Sequence, residues 1–154
     1  MIRKARLKDI KVIVELAKKL LNYHANFDEY MEADPKAGPT YFKWFRSAIY
    51  SSKKLLLVAE LDGKLVGYAL GVVTPRPPVM KVKTCGKIFD VFVLEEYRRS
   101  GVAGLFIKEL LKWFRSKKLY DVELFVHVKN ALGVKAWTKY GFNEFISYRR
   151  ISIK

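Results

Sequence analysis

Between Ile88 and Phe114 the chain changes its period. Ile88–Leu94 is a run of mostly large apolar residues, whereas Val102, Leu105, Phe106, Leu110, Trp113 and Phe114 recur every three or four positions. The first pattern predicts a buried strand and the second an amphipathic helix. Gly101 lies at the junction. A buried strand that hands over to a helix across a glycine turn needs a sheet with a helix packed on its face.

The flanking chain fits that frame. Met1–Ala5 reads as a short strand. Ile10, Ile13, Leu16, Ala17, Leu20 and Leu21 form one helical face, with Lys11, Lys18 and Lys19 turned away. From Tyr23 to Ala37 the pattern breaks, with a turn at Asp34-Pro35, and Tyr41–Ile49 predicts a second helix. Leu55–Leu61 and Leu65–Val73 are β-rich runs joined at Asp62-Gly63, a hairpin signal, before Pro75, Pro77 and Pro78 impose a loop. Asp121–Val128 predicts a strand, Ala131–Tyr140 a helix, and Phe142–Ile153 two final strands. Helices alternating with strands and hairpins imply an α/β or α+β fold with a mixed sheet.

At 154 residues the chain is long enough for one domain, 1–154, with a core that needs no disulfide or structural metal. The one cysteine, Cys85, cannot form an internal disulfide, and no apolar run reaches the roughly 18–20 residues of a membrane span. Met1–Arg6 lacks the apolar centre of a signal peptide. A cytoplasmic protein without a membrane partner is therefore expected. Thirty Lys and Arg against fifteen Asp and Glu give a net charge of +15. Such a field attracts nucleic acid or phosphate-bearing small molecules, or is a solvated surface only.

Tyr97-Arg98-Arg99-Ser100-Gly101-Val102-Ala103-Gly104 sits between the buried strand and the long helix. Glycine and small residues let backbone approach a ligand closely, and the first helical N–H groups lack intrahelical partners. With the helix dipole and two arginines, the segment is a pyrophosphate cradle. A second segment, Asn130 through Gly141-Phe142, follows a strand and closes a helix on glycine.

On these residues the chain resembles the GNAT superfamily of N-acetyltransferases. Arg98-x-x-Gly101-x-Ala103 is similar to the family's acetyl-CoA motif, Asn130 and Gly141-Phe142 to its second motif, and Ile2-Arg3 with Asp9 to its opening. The resemblance implies a mixed, mostly antiparallel sheet of about six to seven strands flanked by about four helices, with the cofactor cleft between splayed fourth and fifth strands. It implies acetyl-CoA as co-substrate without a metal. Arg98, Arg99, Ser100, Gly101, Val102, Ala103 and Gly104 would hold the pyrophosphate, and Phe92, Val93 and Asn130 the rest of the cofactor. A bulge in the fourth strand would free a backbone N–H, here that of Val93, to polarise the thioester carbonyl.

Where the family commonly has a general-acid tyrosine, seven residues after Asn130, this chain has Trp137. An indole cannot protonate a thiolate. Tyr140 is the nearest phenol on that helix, turned about 60° from the expected direction. An acceptor amine with a pKa of about 10.4 must also lose a proton before attack. His127, three residues before Asn130, leads the candidates for that base, ahead of His24, Asp90, Glu95 and Glu96; ordered water would also serve.

Asp28, Glu29, Glu32 and Asp34 crowd seven positions, accompanied by Phe27, Tyr30, Tyr41 and Trp44. Against a +15 background an acidic, aromatic cluster suits a cationic amine, with Asp28, Glu29, Glu32 and Trp44 as substrate-binding candidates; a solvated loop is the plainer alternative. The expected function is acetyl transfer from acetyl-CoA to a primary amine, small or protein-borne. The alternative is a catalytically weak acyl-CoA-binding or nucleic-acid-associated module. A homodimer stays open, and nucleic acid is not favoured as partner.

Overall fold

The structure is a computed structural model and describes residues 1–153. Five strands, β1 (Ile2–Lys4), β2 (Lys54–Leu61), β3 (Lys64–Pro75), β4 (Thr84–Val93) and β5 (Val122–Glu123), form one sheet in the order β1-β2-β3-β4-β5. Neighbours are antiparallel except β4 and β5, which run parallel. The helices are α1 (Ile10–Ala25), α2 (Gly38–Tyr50), α3 (Val102–Ser116) and α4 (Ala131–Lys139). Asp62 (φ 49°) and Gly63 (φ 75°) make the tight β2–β3 turn, since both central residues of that turn type need positive φ.

Strand alternation divides the core between the two faces of the sheet. Leu56 and Val58 of β2, with Tyr68, Leu70 and Phe92, pack under Ile13, Leu16 and Ala17 of α1 and Phe45 and Ala48 of α2. Leu55, Leu57 and Ala59, with Val66, Ala69 and Ile88, pack under Phe106, Leu110 and Phe114 of α3. Each large side chain so buried is worth about 1.5–3 kcal/mol. Phe114 lies so close to β4 that a Cβ at Gly86 would stand 2.8 Å from its ring, so only glycine admits the helix here.

The mixed, mostly antiparallel architecture with four helices agrees with expectation; the sheet has five strands rather than six to seven. β5 pairs only at Gly86–Val122 and Lys87–Glu123. Beyond them the chain leaves β4, so Leu124–Val128 has no ladder, and Phe125 and Val128 are 74% and 85% exposed. A strand of two paired residues offers no edge on which a sixth could form, so 142–153 is not a hairpin either. Its Arg150 instead ties the segment to Asp28 at 2.7 Å. β4 begins at Thr84 rather than Ile88, because Gly86 hydrogen-bonds to Asp121 as well as pairing with β3. Among the described residues no helix is long and apolar enough to cross a membrane.

Candidate active site

The separation of β4 from β5 opens a cleft whose floor is the free side of β4. Leu94 N–H donates to Val66 O at 2.9 Å, which sets the phase of the antiparallel ladder. Leu94 and Phe92 turn their N–H groups to β3, whereas Val93 and Val91 turn theirs to the cleft. The β4 bulge lies at Phe89, where Asp90 pairs with Leu70 and Ile88 with Gly71, rather than near Val93. Ordinary alternation, not a bulge, frees the Val93 N–H.

At the end of this floor the chain turns into α3. Arg99 (φ 63°) and Gly101 (φ 85°) adopt left-handed backbone, strained for arginine and natural for glycine. No side chain caps the helix, so its first N–H groups face outward with the positive end of the dipole. Arg98 Nε donates to the Val93 carbonyl at 3.1 Å, joining the turn to the floor, and Ser100 Oγ closes onto Tyr97 O at 2.6 Å. Val102 is buried, Ala103 packs against the α3-side core, and Gly104 faces Tyr140, whose hydroxyl would lie 3.4 Å from a Cβ there. The Tyr140 phenol thus lies over the first turn of α3. Trp137 packs against Phe142, with ring centroids 5.4 Å apart, and anchors α4.

Asn130 is buried and caps α4, its Oδ1 accepting from Gly133 N at 2.9 Å and from Tyr23 Oη at 3.2 Å. Tyr23 of α1 was not singled out from sequence, yet it is a hub. The Arg98 guanidinium lies 5.6 Å over its ring, and Phe27 meets it edge-on at 5.0 Å. One phenol therefore links the β4–α3 turn, the α4 cap and the start of the α1–α2 connection. Its sequence signal was faint, an aromatic residue one helical turn past an apolar face.

Phe27 stacks on His127 at 6.0 Å, and His127 Nε2 stands 3.6 Å from Asp28 Oδ2. The other ring nitrogen, Nδ1, accepts from Lys129 N–H at 3.1 Å. Neutral His127 therefore carries its proton on Nε2 and has no free lone pair with which to act as a base. Asp28 also accepts from Tyr30 N–H at 3.0 Å and from Arg150 at 2.7 Å. The Tyr30 N–H first, then Arg150, holds its carboxyl below the usual range. Its charge is met from within the chain. Glu29 borders a depression with Arg150, Ile151 and Ser152, and Glu32 is exposed. Trp44 belongs to another group: the Lys54 ammonium lies 3.6 Å over its ring, and Phe89 is 5.8 Å away. Burial, then His127, pushes His24 below the ordinary imidazole value, and burial, then Glu123, raises the Cys85 thiol. Among the described residues no group of three His, Cys, Asp or Glu side chains is placed to hold a metal.

The arrangement offers a run of amide donors ending in an anion-binding helix terminus, which fits an extended ligand bearing a pyrophosphate. Residues 19–142 match the family model described as the acetyltransferase (GNAT) family. An N-alpha-acetyltransferase of Sulfurisphaera tokodaii is 28% identical, with 93% of this chain and 80% of the relative covered. A tetramutant of the BH1408 protein of Bacillus halodurans superposes with a TM-score of 0.86 at 20% identity over 99% of each chain. A predicted acetyltransferase of Clostridium acetobutylicum, solved with acetyl-CoA, gives a TM-score of 0.81 at 21% identity over 99% of this chain and 95% of that one.

Proposed function

Since this chain belongs to the GNAT acetyltransferase family and takes acetyl-CoA as its acetyl donor, we propose that it acetylates a primary amine of a cationic acceptor by direct attack on the thioester. The observation that carries this reading is the continuity of donors along one cleft. The outward N–H groups of Val91 and Val93 lead to Arg98, and Arg98 leads to the uncapped start of α3.

In this reading the backbone from Arg98 to Gly104 receives the pyrophosphate, and the Arg98 and Arg99 charges complement it. Asn130 Nδ2 is left as a donor at the cleft mouth once Oδ1 has capped α4. Val93 N–H, with Phe92 beside it holding β4 to β3, meets the developing oxyanion. One such donor, fixed before reaction, contributes roughly 3 kcal/mol of barrier lowering. Acetyl-CoA supplies the activated acyl carbon.

The acceptor has to approach from the α1–α2 side, where Glu29 and Glu32 are exposed and Trp44 already carries an alkylammonium, its own Lys54. The Sulfurisphaera relative is named for α-amine acetylation, which makes a peptide α-amine the first acceptor to try. The test is thiol release from acetyl-CoA with a peptide bearing a free α-amine, a polyamine and a lysine-rich protein. Acceptor-dependent release with any of them supports amine acetylation and identifies the acceptor class. Acetyl-CoA binding without release for all three would sink the amine reading.

A further inference from the structure

We propose that one end of the sheet, built from Lys53, the 76–87 segment and Lys117-Lys118 and rimmed by Tyr50, Tyr120, Phe125 and Tyr148, is a docking surface for a single-stranded nucleic acid. It lies apart from the cofactor turn and goes beyond acetyl transfer.

The net charge of +15 is unevenly spread along the chain. Three stretches, 35–59, 63–89 and 110–120, contain Lys and Arg but no Asp or Glu. The fold brings the basic parts of all three together. β2 begins at Lys54, β3 ends at Pro75 and β4 begins at Thr84, and the pairs Lys54↔Val72 and Pro75↔Thr84 set these termini side by side. Lys53 O accepts from Val73 N–H at 2.8 Å. α3 stops at Ser116, and Lys117, Lys118 and Tyr120 then lead to Asp121, whose carbonyl accepts from Gly86 N–H at 2.9 Å. The connection from β3 to β4 is braced at the same end: Arg76 N–H donates to Lys83 O at 2.9 Å, and the Lys83 ammonium donates to the Pro78 carbonyl.

Among the described residues none of the cations at this end enters an ion pair. The carboxylates nearest in the chain are Asp121 and Glu123, and Glu123 already faces the Cys85 thiol at 3.5 Å. The end is therefore strongly basic. It is also remote from the turn that begins α3. β4 is ten residues long and α3 fifteen, so roughly 20–30 Å separate Thr84 and Lys117 from Arg98 and Gly101. A pyrophosphate held at that turn leaves these cations without an anion.

Aromatic rings stand beside the cations. The Lys87 ammonium lies 3.8 Å over Phe125 and 5.2 Å over Phe89, and Phe125 meets Tyr148 at 6.1 Å. Tyr120 and Tyr148 are 81% and 89% exposed, and Tyr50, at the end of α2, is exposed as well. Cations bind phosphates of any polyanion, but exposed rings add stacking only for bases that are unpaired. A duplex keeps its bases inside and would use the cations alone. An anionic bilayer calls for one continuous apolar face, whereas three of the four rimming rings are tyrosines carried by separate segments. Read locally, the sequence disfavours such a partner because these rings and basic runs are scattered along the chain and adjoin only once the sheet has formed.

The test follows the fluorescence anisotropy of a labelled single-stranded RNA of about 12 nucleotides. Lys53→Gln/Lys81→Gln/Lys117→Gln removes one cation from each basic stretch. Lys8→Gln/Lys19→Gln/Lys64→Gln removes the same charge from the groove beside Gly63, at the other end of the sheet. Phe125→Ala/Tyr148→Ala removes two rings. All of these side chains are exposed, and melting temperature and acetyl-CoA Kd are measured for each variant. Wild type should bind the RNA and lose about 100-fold in affinity between about 50 and about 200 mM KCl, as about five phosphate contacts on a single strand require. The first triple variant should bind at least about tenfold more weakly, with a salt slope shallower by about 2. The second should stay within about threefold of wild type. The ring variant should bind at least about fivefold more weakly with its salt slope unchanged. Acetyl-CoA Kd should stay within about threefold throughout. Equal weakening by both triple variants means net charge alone and overturns the surface. So does a ring variant with wild-type affinity, an absence of RNA binding at about 50 mM KCl, or equal binding to the duplexed RNA or to phosphatidylserine vesicles. Failure of every amine acceptor would overturn the acetylation reading and leave this surface standing.

Discussion

Arg3 and Asp9 are the residues that close the N-terminal end of the sheet onto α1. Arg3 meets Asp9 at 2.7 Å and Glu60 at 2.7 Å, while Arg6 N–H also donates to Asp9, which is only 5% exposed. The Arg3 hydrogen bond holds the Asp9 carboxyl below its ordinary value, against the opposing effect of burial. Since the folded value is the lower one, the stabilisation is complete above about pH 4, the unfolded carboxylate value, and is lost as pH falls through the depressed folded value. Asp9→Asn should therefore cost about 2–3 kcal/mol at pH 7. In urea unfolding its deficit against wild type should shrink as pH falls below about 4, the ordinary carboxylate value; a deficit independent of pH would mean that packing, not charge, was lost. This pair was legible in the sequence as an Arg–Asp opening. The role of Asp28 was not, because its partner Arg150 is 122 positions away and an acidic cluster read locally looks free to bind substrate. Asp90 sat in plain view as the one charge inside Ile88–Leu94, but its face depends on a bulge that only the β3 register reveals.

Elements with their own local signals were read correctly, as were the strands β1 and β4, whereas the strands expected over 124–128 and 142–153 did not form. The β2–β3 hairpin, α1, α2, α3 and α4 carry their own turn or periodic signals, and the glycine turn before α3 is where spacing placed it. Residues 124–128 and 142–153 have strand-like composition, but a strand exists only with a ladder partner, and the paired length of β5 is two residues. Leu124 and Phe142 still pack against the α3-side core, but Phe145, Ile146, Tyr148, Ile151 and Ile153 stay outside it, between 62% and 92% exposed. α4 has no fully buried residue and is held chiefly by its Asn130 cap, Trp137 and the following Phe142. Sparse burial predicts low local stability. In native-state hydrogen exchange, α4 amides should exchange well before those of β2, β3 and the middle of α3. Acetyl-CoA should slow exchange at 98–105 and around Asn130 while leaving β1–β2 unchanged. Uniform protection across α4 and β3 without ligand would contradict this gradient.

On the scale of the whole molecule, a charge of +15 favours the anionic donor and disfavours a cationic acceptor. A cationic acceptor, as proposed above, would therefore depend on local negative groups, whereas the donor is drawn by the summed field. The two substrates should respond to salt in opposite senses. Raising NaCl from about 50 to about 500 mM shortens the Debye length from roughly 14 to roughly 4 Å; this should weaken acetyl-CoA binding several-fold, mainly through a slower association rate, and should lower or leave unchanged the KM for a polyamine. Parallel weakening of both would mean that attraction to local carboxylates, rather than repulsion by the basic field, governs acceptor binding. The open side of β4 has a consequence of another kind. Most of the sheet is closed off, since β1 has three residues and β5 two, but from Ile88 to Val93 the strand bears backbone groups with no neighbouring ladder. Such an edge is a template for any extended chain. A donor bound along this edge, as proposed above, would cover those groups, so preparations stripped of CoA should scatter light on storage sooner than preparations that retain it.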